Sequence, residues 1–179
     1  MDSRKCLLVI TGAGCSTASG IGDYRDERGD WKKPPPIQYQ DFLNFDISRK
    51  RYWSRSQVGY PSFRDATPNR AHLALSALED NSRLSGLITQ NVDRLHQKAG
   101  HRQVLDLHGR LDQARCLECG LVIPRDEVQV WLELNNPWLT ELDYERRPDG
   151  DAAIENVDLS SFVLPSCNYC EGLLKPDVV

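Results

Sequence analysis

Four of the six cysteines in this 179-residue chain fall into two CxxC pairs, Cys116-Leu-Glu-Cys119 and Cys167-Asn-Tyr-Cys170, with 47 residues between them. Each pair lets two thiolates reach one ion from a tight turn. Two pairs make a closed tetrahedral four-thiolate site, so the spacing predicts one structural Zn2+ rather than a catalytic ion. A redox CxxC is the competing reading for one pair alone, and the second pair argues against it. A second feature is the turn Thr11-Gly-Ala-Gly14, which follows an apolar run. Glycines there would permit positive φ and a close approach of backbone N–H groups to a pyrophosphate. The full dinucleotide pattern is absent, because Thr17 stands at the third glycine position, so a ligand-free strand-to-helix turn fits the pattern as well. A third is His108-Gly109 after Val104-Leu-Asp-Leu107. A histidine at a strand end can face a cleft, and its ordinary pKa of about 6.5 suits a general base. A strand-capping role is the alternative.

The elements that must position these groups read as follows. Residues 6–11, CLLVIT, predict a strand buried on both faces, as in a parallel α/β sheet. Residues 29–40, with Pro34-Pro35-Pro36, read as a loop, and 41–58 as one or two short helices. Thr67 is expected to cap a helix with Pro68 in its first turn and Ala71, Ala74, Leu75 and Leu78 on its apolar face. Gly86–Thr89 and Val104–Leu107 are strand candidates, and Asn91–Ala99 a short helix ended by Gly100. The fold class is therefore α/β: an incomplete Rossmann-like parallel sheet with a small helical and zinc-ribbon-like module. Residues 1–110 are assigned to the nucleotide-binding part, with a helical insertion at about 33–80. Residues 111–173 form the zinc module, and 174–179 begin a return into the first sheet. Three strands are few for such a sheet, so the reading expects the domain to continue past Val179.

Composition narrows the classes. A chain 40% hydrophobic and 27% charged supports a packed core. Net charge is −4, from 22 basic and 26 acidic residues, which gives no general drive toward nucleic acid or anionic membrane. The run Arg49-Lys50-Arg51 reads as a solvated helix face. No apolar run approaches the ~20 residues of a membrane span. No secretory leader is evident, and the expected location is cytoplasmic. Cys6 is read as a buried strand residue and Cys15 as a small packing residue in the glycine turn.

Residues 12–25, GAGCSTASGIGDYR, together with Thr89-Gln-Asn-Val-Asp-Arg-Leu-His96, Ala99-Gly100, His108-Gly109, the four cysteines and Leu174-Lys-Pro-Asp-Val-Val179, resemble the sirtuin motifs in their order along nearly the whole chain. Arg51-Tyr-Trp53, the long segment between the knuckles and the PDGD at 148–151 resemble most the class II branch, which includes a mitochondrial sirtuin. Gly22 stands where most members have Pro, Tyr24 where Phe is commoner, and Cys15 where Ile or Ala is usual.

The resemblance implies an NAD-dependent protein-lysine deacylase acting on acyl-lysine proteins or peptides. NAD is cleaved to nicotinamide, and the acyl group passes to ADP-ribose. It implies that His108 is the general base on a ribose hydroxyl. It implies that Gly12, Ala13, Gly14, Ser16, Thr17, Ile21, Asp23, Tyr24, Arg25, Gln90, Asn91 and Asp93 contact NAD, with Asp93 accepting from the nicotinamide carboxamide. Helix capping by Asn91 and Asp93, and a surface ion pair of Asp23 with Arg25, stay open as the plainer readings. His96 receives no chemistry, and His72 and His101 are read as structural or exposed. Two alternatives remain: protein mono-ADP-ribosyl transfer, and an inactive zinc-bearing binding module. An ordinary dehydrogenase is disfavoured, because Asp30 lies in a loop rather than at a strand end.

Overall fold

The computed structural model describes residues 6–23, 28, 37–141 and 157–179. Tyr24, Arg25, Asp30, the triple proline and the PDGD at 148–151 lie outside the described residues.

The described residues form two three-stranded sheets. The first contains β1 (Leu7–Thr11), β2 (Leu84–Thr89) and β3 (Val104–Asp106), all parallel and in that order. Parallel strands need crossover connections. The crossover from β1 to β2 carries α1 (Tyr39–Asn44), α2 (Asp46–Asp65) and α3 (Arg70–Asp80), and that from β2 to β3 carries α4 (Leu95–Lys98). The second sheet is antiparallel: β4 (Gly109–Cys116) lies between β5 (Val122–Pro124) and β6 (Leu174–Val178). Helices α5 (Arg125–Asn135) and α6 (Trp138–Glu141) follow β5.

The main core spans both α1–α2 and the cysteine-bearing segment. Phe42 and Trp53 pack in one cluster with Ala114, Ile123, Val128, Leu132, Leu139, Leu159, Phe162 and Leu174, and the cluster includes Cys116 and Cys167. Lys50 donates to the carbonyls of Leu159 and Ser160, and Arg49 to those of Phe42 and Leu43 at the end of α1. The basic run is thus partly a set of carbonyl caps rather than a solvated face, because α1 ends without a turn residue to satisfy its last carbonyls.

Several local expectations are corrected. Residues 41–58 do not form only short helices: α2 runs 20 residues and continues through Pro61. The cap of α3 is Asn69, not Thr67. Its side chain accepts from the Ala71 N–H, and its own N–H donates to His72 Nδ1. The inward face of α3 carries His72 and Ser76, both buried, whereas of the expected apolar face Ala71 and Ala74 are exposed and Leu75 and Leu78 half-buried. Residues 91–94 are not helical, Arg94 is left-handed, and α4 begins only at Leu95. Cys6 is exposed and precedes β1.

Strand β1 is not buried on both faces: Leu8 is 63% exposed and Ile10 64%. Leu105 and Leu107 alternate in the same way near β3 and are also exposed. Described helix α3 packs against β2, while Leu8 and Leu105 line an open cavity of about 300 Å³ with Leu87 and Ile88. Finally, 174–178 does not enter the parallel sheet. It pairs with β4, and the Val179 N–H donates to the His108 carbonyl, so β6 runs back to the junction between the sheets.

Candidate cofactor and zinc sites

The cysteines meet between the ends of β4 and β6. The four sulfurs lie within 4.8 Å of one another. Cys116 Sγ is 3.5 Å from Cys170 Sγ, and Cys119 Sγ is 3.8 Å from Cys167 Sγ. Thiolates about 2.3 Å from a tetrahedral ion stand roughly 3.8 Å apart, and all four thiols are free of disulfides. The donor set fits Zn2+.

The two knuckles repeat one geometry. The N–H of the fifth residue returns to the first cysteine's carbonyl, as Gly120 to Cys116 and Glu171 to Cys167. The first cysteine's N–H donates to the sixth residue's carbonyl, as Cys116 to Leu121 and Cys167 to Gly172. The fifth residue is left-handed in both, Gly120 at φ 75° and Glu171 at φ 60°. The Leu117 N–H donates to the Leu173 carbonyl and stitches one knuckle to the other. Gly172 has no room for a side chain: a Cβ there would sit 2.5 Å from Glu118 Cγ and 2.9 Å from Cys116 Sγ.

The glycine turn and the 89–96 segment meet at the C-terminal ends of β1 and β2, where ligands bind in open α/β sheets. Ser16 Oγ donates to Asp93 Oδ2 at 2.6 Å, and Asn91 Nδ2 donates to Ser16 Oγ and to the Gly12 carbonyl, both at 3.0 Å. Asp93 Oδ1 takes the Leu95 N–H at 2.9 Å, so Asp93 caps α4 while holding Ser16. Beneath them, Thr11 Oγ1 bonds Thr89 Oγ1, and the Asn91 N–H donates to Thr89 Oγ1. The structure therefore brings Gly12, Ser16, Asn91 and Asp93 together. Ser16 and Asp93 are buried, Gly12 and Asn91 half-buried. Ile21 is buried, and its N–H donates to the Ser16 carbonyl. Ala13 and Asp23 are half-buried, while Gly14, Thr17 and Gln90 are exposed, with Thr17 Oγ1 donating to the Gly14 carbonyl.

The glycines of the turn do not use positive φ. Gly12 is extended at φ −139°, and the left-handed residue is Gly20 at φ 83°. What Gly12 and Gly14 leave is space. A Cβ on Gly14 would meet nothing within 4 Å, and one on Gly12 would lie 3.7 Å from Gln90 Nε2.

His108 stands exposed just past β3. Its Nδ1 is 3.1 Å from the Gln90 carbonyl. A carbonyl only accepts, so this bond places the proton on Nδ1 and leaves the Nε2 lone pair available to take a proton. Gly109 makes the position possible. At φ 82°, a Cβ would lie 2.1 Å from the Asp177 carbonyl oxygen, where β6 closes on β4.

Sequence reasoning missed the support under this site. Arg94 is left-handed at φ 64°, a strained conformation for a non-glycine residue. Its guanidinium pairs with Asp106, which Gln97 Nε2 also reaches at 2.9 Å, and this ties the 89–94 segment to β3. Asn69 Nδ2 donates to the Cys15 carbonyl and to Ser19 Oγ, which fixes the glycine turn to α3. The Asn-x-x-His spacing of Asn69 and His72 was the available sequence signal for this cap. The three histidines set aside as structural form one buried group. His72 and His96 rings are 4.7 Å apart, and His96 and His101 rings 5.3 Å. His96 Nε2 bonds Thr11 Oγ1 at 2.9 Å, and His101 Nδ1 is 3.4 Å from Glu79. Burial, reinforced by His72 and His101, pushes His96 down to about 4. Burial also lowers His72, whereas burial and the Asp93 charge raise the Cys15 thiol.

Residues 12–179 match the Sir2 family. The chain is 56% identical over 174 residues to the NAD-dependent protein deacetylase 2 of Bradyrhizobium diazoefficiens, covering 97% of this chain and 63% of that protein. It is 54% identical over all 179 residues to the NAD-dependent protein deacetylase of Xanthomonas campestris pv. campestris, covering 61% of it. The chain thus spans about three fifths of the length of these relatives. A solved Sir2 with a p53 peptide and NAD+ superposes with a TM-score of 0.70 at 27% identity, covering 99% of this chain and 60% of that one. A Sir2 homologue mutant bound to ADP-ribose gives 0.65 at 32% identity, covering 96% and 57%. The chain belongs to the Sir2 family.

Proposed function

We propose that this chain carries the catalytic centre of an NAD-dependent protein-lysine deacylase. NAD supplies the acceptor: loss of nicotinamide opens its ribose carbon to the acyl oxygen of an acyl-lysine, and the acyl group ends on ADP-ribose. The observation that carries the reading is the fixed tautomer of His108. Its Nδ1–H is held by the Gln90 carbonyl, so Nε2 can take a proton from a ribose hydroxyl. Gln90 precedes Asn91, whose amide holds Ser16 and Gly12, so the base and the polar pocket are built on one segment. Asn91, Ser16 and Asp93 are suited to bind a carboxamide, and the open space at Gly12 and Gly14 to admit the rest of the cofactor. Tyr24 and Arg25 join this cofactor loop by resemblance alone.

Zn2+ would be held by Cys116, Cys119, Cys167 and Cys170, and would keep the ends of β4 and β6 in register without entering the chemistry. Acyl-lysine proteins or peptides are the proposed substrates, consistent with the p53 peptide in a solved Sir2. No described helix is long and apolar enough to cross a membrane. Free thiols at every described cysteine suit a reducing, cytoplasmic setting.

The test is product analysis. Protein, NAD and an acetyl-lysine peptide should yield nicotinamide, deacetylated peptide and acetyl-ADP-ribose in equal amounts. Label from NAD appearing on protein, without acetyl-ADP-ribose, would oppose the reading and favour ADP-ribosyl transfer.

A further inference from the structure

A second set of metal-competent donors lies under the glycine turn, far in sequence from the four-cysteine site. Cys15, His72 and His96 each offer one donor atom, and these three atoms lie within 4.8 Å of one another. Cys15 Sγ and His72 Nε2 are 3.9 Å apart. Sulfur and imidazole nitrogen on one tetrahedral ion stand about 3.5 Å apart, so the Cys15–His72 pair needs to close by only a few tenths of an ångström, and the His96 donor starts within 4.8 Å of both. His72 and His96 are 0% and 1% exposed, and the bonds from Asn69 and to Thr11 hold their rings. His96 Nδ1 is buried with no hydrogen-bond partner. Cys15 is only half-buried, which leaves an entry path for an ion. Asp93, bonded to the neighbouring Ser16, adds a nearby carboxylate.

We propose that Cys15, His72 and His96 form a second, three-ligand site for a borderline-soft divalent ion of the zinc class, with its fourth position open. One thiolate and two imidazoles are the donor set that such ions prefer. On loading, the Cys15 thiol gives its proton to solvent and its sulfur bonds the ion. The His72 proton moves from Nε2 to Nδ1, giving up the 3.3 Å capping bond from the Asn69 N–H. Water takes the open position, and nothing is oxidised or reduced. An ion there adjoins Ser16 and Asp93, so on the deacylase reading above it would exclude nicotinamide and act as an inhibitor.

The site is tested by metal uptake, which does not depend on that reading. Protein carrying one Zn2+ is titrated with Co2+ near pH 7.5, with melting curves confirming that each variant is folded. The proposal expects a second ion per chain and a near-ultraviolet thiolate-to-cobalt absorption. Cys15→Ser and His72→Asn should each remove that absorption and return uptake to one ion. Cys6→Ser, which alters the exposed thiol, should leave both unchanged. Uptake that stays at one ion in the parent protein, or an absorption that survives in folded Cys15→Ser, overturns the proposal.

Discussion

At the residue scale, burial decides how the histidine under the pocket titrates. His96 makes acid the enemy of the pocket, because burial beside His72 and His101 disfavours its charged form. Its pKa is about 6.5 in an unfolded chain and falls to about 4 when folded. Below pH 6.5 the unfolded state binds the proton that the folded state refuses, so stability falls with falling pH until about pH 4, on the order of 2–3 kcal/mol in total. Replacing His96 with Gln should flatten the pH dependence of the melting temperature between pH 6.5 and pH 4. A slope equal to the parent's would show that His96 is not its source. Asp93 makes the complementary case. It is buried and holds both Ser16 and the start of α4. Asp93→Ala should cost about 2–4 kcal/mol by leaving these donors unsatisfied, measurable by urea unfolding. The sequence motifs named His108, Asn91 and Asp93. They could not disclose that the His72, His96 and His101 rings meet in tilted and edge-on contacts, because the first of these joins α3 to α4 across the fold.

At the element scale, one glycine and one asparagine decide geometry. Gly109 is the only described glycine whose added Cβ would meet backbone closer than 2.5 Å, and it lies where β6 joins β4 beside His108. Gly109→Ala should therefore displace β6 and cost roughly 3 kcal/mol or more. Unfolding within 1 kcal/mol of the parent would contradict the close approach. Strand positions were legible because apolar runs ended at Gly or His. The start of α3 was misread because Thr67-Pro68 is a good cap signal in isolation, whereas Asn69 gains bonds to the glycine turn as well. Tertiary bonds outweighed local preference there. The burial of β1 was also misread. An apolar strand reports what a covering layer would find, and the outward side of Leu8 and Ile10 is open among the described residues.

At the scale of the whole molecule, the zinc site and the helical segment are one structural unit. Cys116 and Cys167 belong to the core that contains Trp53 and Phe42, so the ion stabilises more than its own knuckles. Chelation of Zn2+ should lower the melting temperature and expose α2 and α5 to proteolysis, because metal-binding energy is folding energy in such modules. An unchanged melt after verified metal removal would refute this. Paired cysteines are legible at any distance, whereas a core joining residues 42 and 174 requires the fold. The most direct test of the central claim measures nicotinamide released from NAD by the parent protein and by His108→Ala, with and without an acetyl-lysine peptide. The account predicts acyl-dependent release by the parent, and deacetylated product reduced roughly 100-fold or more in the variant with its zinc content and melting retained. Equal product from the two proteins, or no acyl-dependent release by the parent, would contradict it.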